Sequence, residues 1–566
     1  MACSMSVLFA AAVFVFFRFA YPYHIHYQEQ FQLFEFTAGY FAATASVPGG
    51  IADWIGRFLV QFFYYANAGA AIIAALAVLT QFLTYRATGK DNLPVFALCF
   101  VPSALIWIFL CDENALVGAV AGLAVALGSG LAADRIPATA ARTAVKLAAT
   151  PLVYFLAGPA AIAYTAVCFR REKPWKAAAS VFLLCLCPLA AQYVWQYPLS
   201  RFFTGIHYYR YPEAVPVLFW AAAFCTLVIV IACRAAGVSR TGRKGGTAAG
   251  LALFAVVSVL TGVSVRLCFN PAKEEVMKYD FMTSHRMWNR TMMEADVKNP
   301  STPLSVSCLN LALSMSGRMP ASMFEYYQNG PEGLLPTFNR EATSAMSLSE
   351  IYYHLGMVNT AQRMAFEAQE SIPDFQKSAR CYRMLSVTNI INGDYGVAQK
   401  YLESLKHTIF YSRWARGTEA VLYDDEAVCR DPEYARMRSL RFHTRDFLFS
   451  GTEMDSMLGL LYLENRSNSV ALDYLLAWTL LKKDLGRFTE CLGMVTAVFL
   501  PQPYQEAVIL KWALDDRKWE LPASVSRASL DSFGSFINDR QKGLGEDDMR
   551  RKYGKTYWFY YFYRYN

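Results

Sequence analysis

The apolar positions of this chain fall into two patterns, and the change comes near Asn270. Before it, long apolar runs follow one another: 4–21, 55–85, 94–111, 114–133, 143–157, 158–169, 177–196, 214–234 and 247–268. A helix of about 20 apolar residues crosses a bilayer. After Asn270, apolar residues recur at helical spacing among charges, as in helices with one buried stripe. The pattern predicts an all-α chain. Residues 1–269 form a polytopic bundle of about nine spans, and residues 270–566 form a soluble helical domain. Gly158-Pro159 splits the stretch 143–169, which reads as two short or re-entrant helices or as one long kinked helix. The run 55–85 is longer than one crossing needs, so its first turns are an interfacial segment or a tilted extension. The first run has no basic n-region and no small-x-small cleavage site, so it reads as a retained span rather than a signal peptide.

Lys and Arg in the short loops set the orientation. Arg86 and Lys90 follow the second run; Arg135, Arg142 and Lys146 follow the fourth; Arg170, Arg171, Lys173 and Lys176 follow the sixth; Arg234, Arg240, Arg243 and Lys244 follow the eighth. The alternate loops are poor in them, with only Arg201 and Arg210 in 197–213. This alternation holds if 143–169 crosses twice. It then predicts a cytoplasmic N-terminus and a second half outside, in the periplasm of a Gram-negative cell, with the protein multi-pass in the inner membrane.

The second half reads as helix pairs turning at Gly317, Gly356, Gly393 and Gly486. The first three glycines lie 39 and 37 residues apart, near the tetratricopeptide period. The residues 408–470 fit that period poorly. Each pair leaves an apolar face for the next to cover, which builds a curved stack whose concave surface suits a partner protein. The aromatic tail YGKTYWFYYFYRYN is expected to pack on the repeats or at a membrane surface.

Apolar residues are 55% of the 566 and charged residues 17%, which fits a membrane half. The net charge of +8 lies largely in the loops between apolar runs. No basic stripe with interleaved aromatics appears in the second half, which argues against nucleic acid. Of 13 cysteines, only Cys308, Cys381, Cys429 and Cys491 lie in the second half, none in a CxxC. They read as buried thiols, with one or two disulfides left open if that half is extracytoplasmic.

The candidate chemistry lies in three loops on the predicted outer side. The first holds His24, His26, Glu29 and Glu35; the second holds Asp112 and Glu113; the third holds Arg201, His207, Arg210 and Glu213. His26, Glu29 and Gln30 would share a helix face. His24 and His26 with Glu29 are the residues that could hold a divalent metal ion, the one cofactor the loop suggests. Glu29 has polar neighbours, which favour its charged form and suit a base. Glu35 sits between two phenylalanines and suits an anchor. An Arg pair suits a phosphate. The bland alternatives are an interfacial aromatic belt and a solvated turn.

This layout resembles the GT-C class of membrane glycosyltransferases, which use polyprenyl-linked sugar donors. The resemblance implies a catalytic acid in the first outer loop, where Glu29 and Glu35 stand, with Asp112 or Glu113 matching an acid in the second. Read from their own chemistry, Arg201, Arg210, His207 and Glu35 are the expected substrate-binding residues, with Arg201 or Arg210 holding the donor phosphate. The first loop has no Asp-x-Asp or Asp-Glu pair, where the chain departs from that class. In plan the chain also resembles the transmembrane-and-tetratricopeptide O-mannosyltransferases. The phrases YQEQFQLF, SEIYYHLGMVNTAQRMAFEA and INGDYGVAQKYL resemble an uncharacterised membrane family of Bacteroidota. Two functions follow as expectations. One is a glycosyl or oligosaccharyl transferase at the periplasmic face. The other is a non-catalytic envelope scaffold whose repeats recruit a periplasmic protein. Membrane lipids are partners in either.

Overall fold

The structure is a computed structural model that describes residues 1–137, 141–235, 243–338, 342–374, 376–442, 450–495 and 499–564. Arg240, part of the expected charge alternation, lies outside the described residues, as do 443–449, 496–498 and the last two tail residues. Among the described residues the fold is all-helical, with 74% helix and no strands. The chain divides into two compact units. The first is Met1–Asn270 with two later pieces, Ile372–Ala379 and Ser404–Ser412. The second is Pro271–Ser371, Arg380–Glu403 and Arg413–Asn566.

The first unit is a bundle of apolar helices, and the protein is a membrane protein. By length and composition seven helical stretches among the described residues can cross a bilayer: Ala2–Ala20, Ala66–Thr88, Val117–Asp134, Arg142–Cys168, Pro174–Ala191, Val217–Ala235 and Gly246–Cys268. A shorter apolar stretch is Leu93–Phe109. Large apolar side chains such as Phe182, Phe224 and Leu260 point outward, as lipid-facing residues do. The run 55–85 is not one helix: Gly50–Val60 and a 3₁₀ turn to Tyr64 precede the helix Ala66–Thr88.

Arg142–Cys168 has the length of one span but is folded back on itself. Helix Arg142–Ala157 ends at Gly158, whose φ of +68° only glycine adopts easily. The chain then returns through Ile162–Cys168. The ammonium of Lys146 donates to the Cys168 carbonyl at 2.7 Å and to Glu172 at 2.8 Å, and the Tyr164 hydroxyl donates to the Lys146 carbonyl. Residues 146 and 168 are therefore at the same end. From Lys146 to Ala157 is about 17 Å of helix, short of the roughly 30 Å of a hydrocarbon core.

Contacts sort the loops of the first unit into two ends. At one, Arg170 donates to the Ala87 carbonyl and pairs with Asp134 at 2.8 Å, while Arg234 donates to the Glu172 carbonyl. At the other, the loops after Ala20, Phe109 and Ala191 meet. Gln28 donates to the carbonyls of Asp112 and Ala115, and the Arg210 amide donates to the Asn114 carbonyl.

The second unit contains paired helices, Ala342–Leu355 with Val358–Glu370 and Ser469–Leu481 with Leu485–Leu492. The helices Ala379–Asn392 and Tyr395–Lys406 belong to it except for Ala379 and residues 404–406, which fall in the first unit. Gly317, Gly356 and Gly393 turn with positive φ. Gly486 does not turn the chain, contrary to the sequence expectation. It sits in the first turn of Leu485–Leu492, and Lys483 takes the left-handed position with φ +60°. Asp484 caps the helix that follows, and this cap fixes where the turn falls. The tail helix Tyr557–Tyr563 packs into this unit. The Tyr557 amide donates to the Glu506 carboxyl at 2.6 Å, and the Trp558 indole donates to the Glu506 carbonyl. All 13 cysteines are free thiols.

Candidate functional site

The polar end of the first unit is built on the loop between Tyr21 and Tyr65. Pro22 starts the helix Pro22–Glu29, and the Thr37 hydroxyl caps Ala38–Ala45. The helix Gly50–Val60 follows and crosses the start of Val117–Asp134 in backbone contact. A Cβ on Gly56 would lie 2.4 Å from the Gly118 nitrogen, so both crossing residues are glycine. This crossing sets Asp53 against Gly118 and the third loop.

Asp53 is almost fully buried. Arg57, one turn on, pairs with it at 2.6 Å. His207 Nδ1 lies 3.9 Å from Asp53 Oδ2 and 3.9 Å from Asp374 Oδ2. Arg201 holds Asp374 with both terminal nitrogens, at 2.9 and 2.7 Å, and donates to the Ile206 carbonyl. Two arginines and two aspartates thus gather around one imidazole. Burial lowers the His207 pKa more than the Asp53 charge raises it, so the ring is neutral at neutral pH. Neither His207 Nδ1 nor Asp53 Oδ1 makes a hydrogen bond to the described residues.

The loop 21–36 also meets the two later pieces of the first unit. The Tyr411 hydroxyl donates to Glu29 at 2.9 Å, Lys377 pairs with Glu35 at 2.8 Å, and the amides of Leu33 and Phe36 donate to the carbonyls of Lys377 and His407.

The polar residues beside Glu29 in sequence do not set its environment in the fold. Gln28 spends its amide on backbone carbonyls of the second loop, and Glu29 is buried. Burial, only partly offset by the Tyr411 hydrogen bond, pushes its carboxyl up to about 7. Glu35 is tied to Lys377, not merely set among phenylalanines. Asp112 accepts from the Tyr209 hydroxyl at 2.7 Å and from the Asn114 amide at 2.9 Å, and Glu113 accepts weakly from the Asn114 side chain. Arg210 lies on the Phe31 ring, 3.8 Å from its centroid, and donates to the Tyr27 hydroxyl. His24 donates to the Leu110 carbonyl at 3.0 Å, which uses one of its ring nitrogens. Among the described residues no three His, Cys, Asp or Glu side chains gather as metal ligands, His26 included.

So the structure brings Arg201 and His207 together. It surrounds them with Asp53, Arg57 and Asp374, which sequence reading missed. The one local signal was the Asp53–Arg57 spacing of four on a helix. Asp374 lies far along the chain and carried no signal at all.

Buried ionisable residues at one end of an apolar bundle define a polytopic, all-helical membrane protein with a polar candidate centre. The chain belongs to the family of unknown function DUF6057, whose family model matches residues 1–564. No curated protein and no solved structure matches it.

Proposed function

We propose that the protein is a transferase of the polyprenyl-linked-donor kind, working where Asp53, His207 and Arg201 meet. The Lys- and Arg-rich end of the first unit is cytoplasmic in this reading. The polar loops and the second unit are periplasmic, in the inner membrane of a Gram-negative cell, and the helices of the second unit form tetratricopeptide-like repeats. The buried cluster Asp53–Arg57–His207–Arg201–Asp374 carries the proposal. Taking charges out of water costs several kcal/mol each, and apolar replacements of buried pairs are often no less stable. Such a cluster beside apolar spans marks function more often than stability. In the reaction, Asp53 with neutral His207 accepts the proton of an attacking hydroxyl. The Arg201 fork holds a phosphate oxygen pair as it now holds the Asp374 carboxylate.

The test is Asp53→Asn in membranes given a polyprenyl-phosphate-linked, radiolabelled sugar. Transfer into membrane acceptors, taken per folded protein, should fall by about 10²–10⁴-fold. Unchanged transfer overturns the reading.

The clamp on the later pieces favours a second reading, the scaffold. Glu29, Glu35 and Arg201 each bind a residue of 372–379 or 404–412. These contacts would then serve to hold the chain together. In that case Asp53→Asn leaves cell-envelope phenotypes unchanged, while Arg201→Ala abolishes them by unfolding the polar end.

A further inference from the structure

We infer that the second unit carries a binding site for an acidic saccharide, in a cleft of about 410 Å³ beside the tail helix. The inference stands apart from the transferase reading. Arg550, Arg551, Lys552, Lys555 and Arg564 line the cleft, against one lining carboxylate, Glu325. The cations come from the end of the helix Glu546–Tyr553, from the Gly554–Thr556 link, and from just beyond the tail helix. Tyr557 and Trp558, both buried, anchor that wall.

Four of these cations pair with surface acids. Glu546 takes Arg550 at 2.8 Å and Arg564 at 3.2 Å, Asp539 takes Lys552 at 2.8 Å, and Asp548 takes Arg551 at 3.2 Å. The Arg550–Glu546 and Arg551–Asp548 pairs are exposed, and pairs of this kind are worth about 0–1 kcal/mol, so an incoming anion can displace them. Lys555 has no ion pair among the described residues and is exposed. The guanidinium forks suit a carboxylate or a phosphate.

The opposite wall supplies rings and amides. Tyr327 is exposed, and its amide is held by the Asn299 side chain. Tyr326 is held through its hydroxyl by Asp296 at 2.8 Å. Ring faces beside hydrogen-bonding groups complement a sugar, which has apolar C–H faces and a hydroxyl edge. The volume is that of a small-molecule site. An acidic peptide would gain most from a strand edge, and the described residues contain no strand. A nucleic-acid strand calls for cations strung along a groove with successive stacking platforms, whereas these are gathered in one cleft.

Titration calorimetry on the full-length protein in detergent tests this. The probes are trigalacturonate, glucose 6-phosphate, maltotriose, AMP and triglutamate. Trigalacturonate or glucose 6-phosphate should bind, and which of them binds tells carboxylate from phosphate. Binding should weaken tenfold or more in Lys555→Glu and with added salt. Tyr327→Ala should weaken it at any salt concentration. Lys555 and Tyr327 are exposed, so unchanged melting of the variants is expected and checks the fold. Binding of neither acidic sugar, equal binding of maltotriose, tighter binding of AMP or triglutamate, or no effect of Lys555→Glu overturns the inference.

Discussion

Arg201 and Asp374 stand 173 residues apart in sequence, yet the guanidinium grips both oxygens of the carboxylate. Each side chain is about nine-tenths buried. Removing one partner strands the other in a poor solvent. Arg201→Met should therefore cost about 3–5 kcal/mol, and pairing it with Asp374→Leu should restore much of the loss. Detergent-solubilised protein, unfolded thermally as a double-mutant cycle, reads the coupling. Simple additivity of the two changes would show that the pair does not act as a unit.

The glycine crossing gives a second prediction. Gly56→Ala drives a methyl into the Gly118 backbone, which cannot yield as a side-chain tip would. Folded yield and melting temperature should both drop. Gly39→Ala is the control, since nothing lies within 4 Å of its added carbon. It should be neutral or stabilising by about 0.5–1 kcal/mol, because Gly39 is in a helix.

Stability should depend on pH through two carboxyls. Burial, opposed by weaker hydrogen bonds, raises Glu29 and Glu506 from about 4.5 to about 7. The folded state then binds the proton more tightly than the unfolded chain does. The resulting stabilisation is full below about pH 4.5 and is lost as the pH rises through about 7, on the order of 3 kcal/mol per group. Glu506→Gln keeps an acceptor for the Tyr557 amide and should flatten its share of the profile. An unaltered slope between about pH 5 and 8 would rule Glu506 out as a source.

The turn before Leu485 separates two readings of one sequence. Gly486 has helical φ, so Gly486→Ala should stabilise by about 0.5–1 kcal/mol. Lys483→Gly should be neutral or better, because Lys483 now takes the left-handed conformation. Gly393→Val should destabilise, since its φ is +86°. Melting curves of the three variants decide the matter. Destabilisation by Gly486→Ala would mean that Gly486 is the turn residue after all.

Cysteine labelling tests the two ends of the first unit. In a background without the exposed Cys3, Cys185, Cys268 and Cys429, an impermeant maleimide on spheroplasts should label Tyr193→Cys and spare Arg171→Cys. Labelling of both, or of Arg171→Cys alone, would break the proposed orientation.

The helical class and the apolar runs were legible because they depend on local periodicity, which any window of sequence displays. The Gly317, Gly356 and Gly393 turns were legible for the same reason. Lys483 and Gly486 show the limit: a glycine is permitted a positive φ, but the neighbouring Asp484 cap chose another residue for it. The candidate centre was half legible. Arg201 and His207 stood out as polar residues in an aromatic loop. Asp53 carried only its helical spacing to Arg57, and Asp374 belongs to the site only through tertiary contact. The upward shift of the Glu29 pKa was not legible, because neighbours in sequence are not its neighbours in space. Its Tyr411 partner is 382 residues away.

The first unit takes two of its pieces from beyond residue 370. During synthesis its polar end therefore waits, with Glu29, Glu35 and Arg201 unmatched, until the chain has been made as far as Ser412. The two units cannot mature one after the other. A gene cut at Asn270 would yield a fragment in which Glu35 and Arg201 lack their ion-pair partners and Glu29 lacks the Tyr411 hydroxyl. A coexpressed peptide covering 371–413 is what should make such a fragment whole.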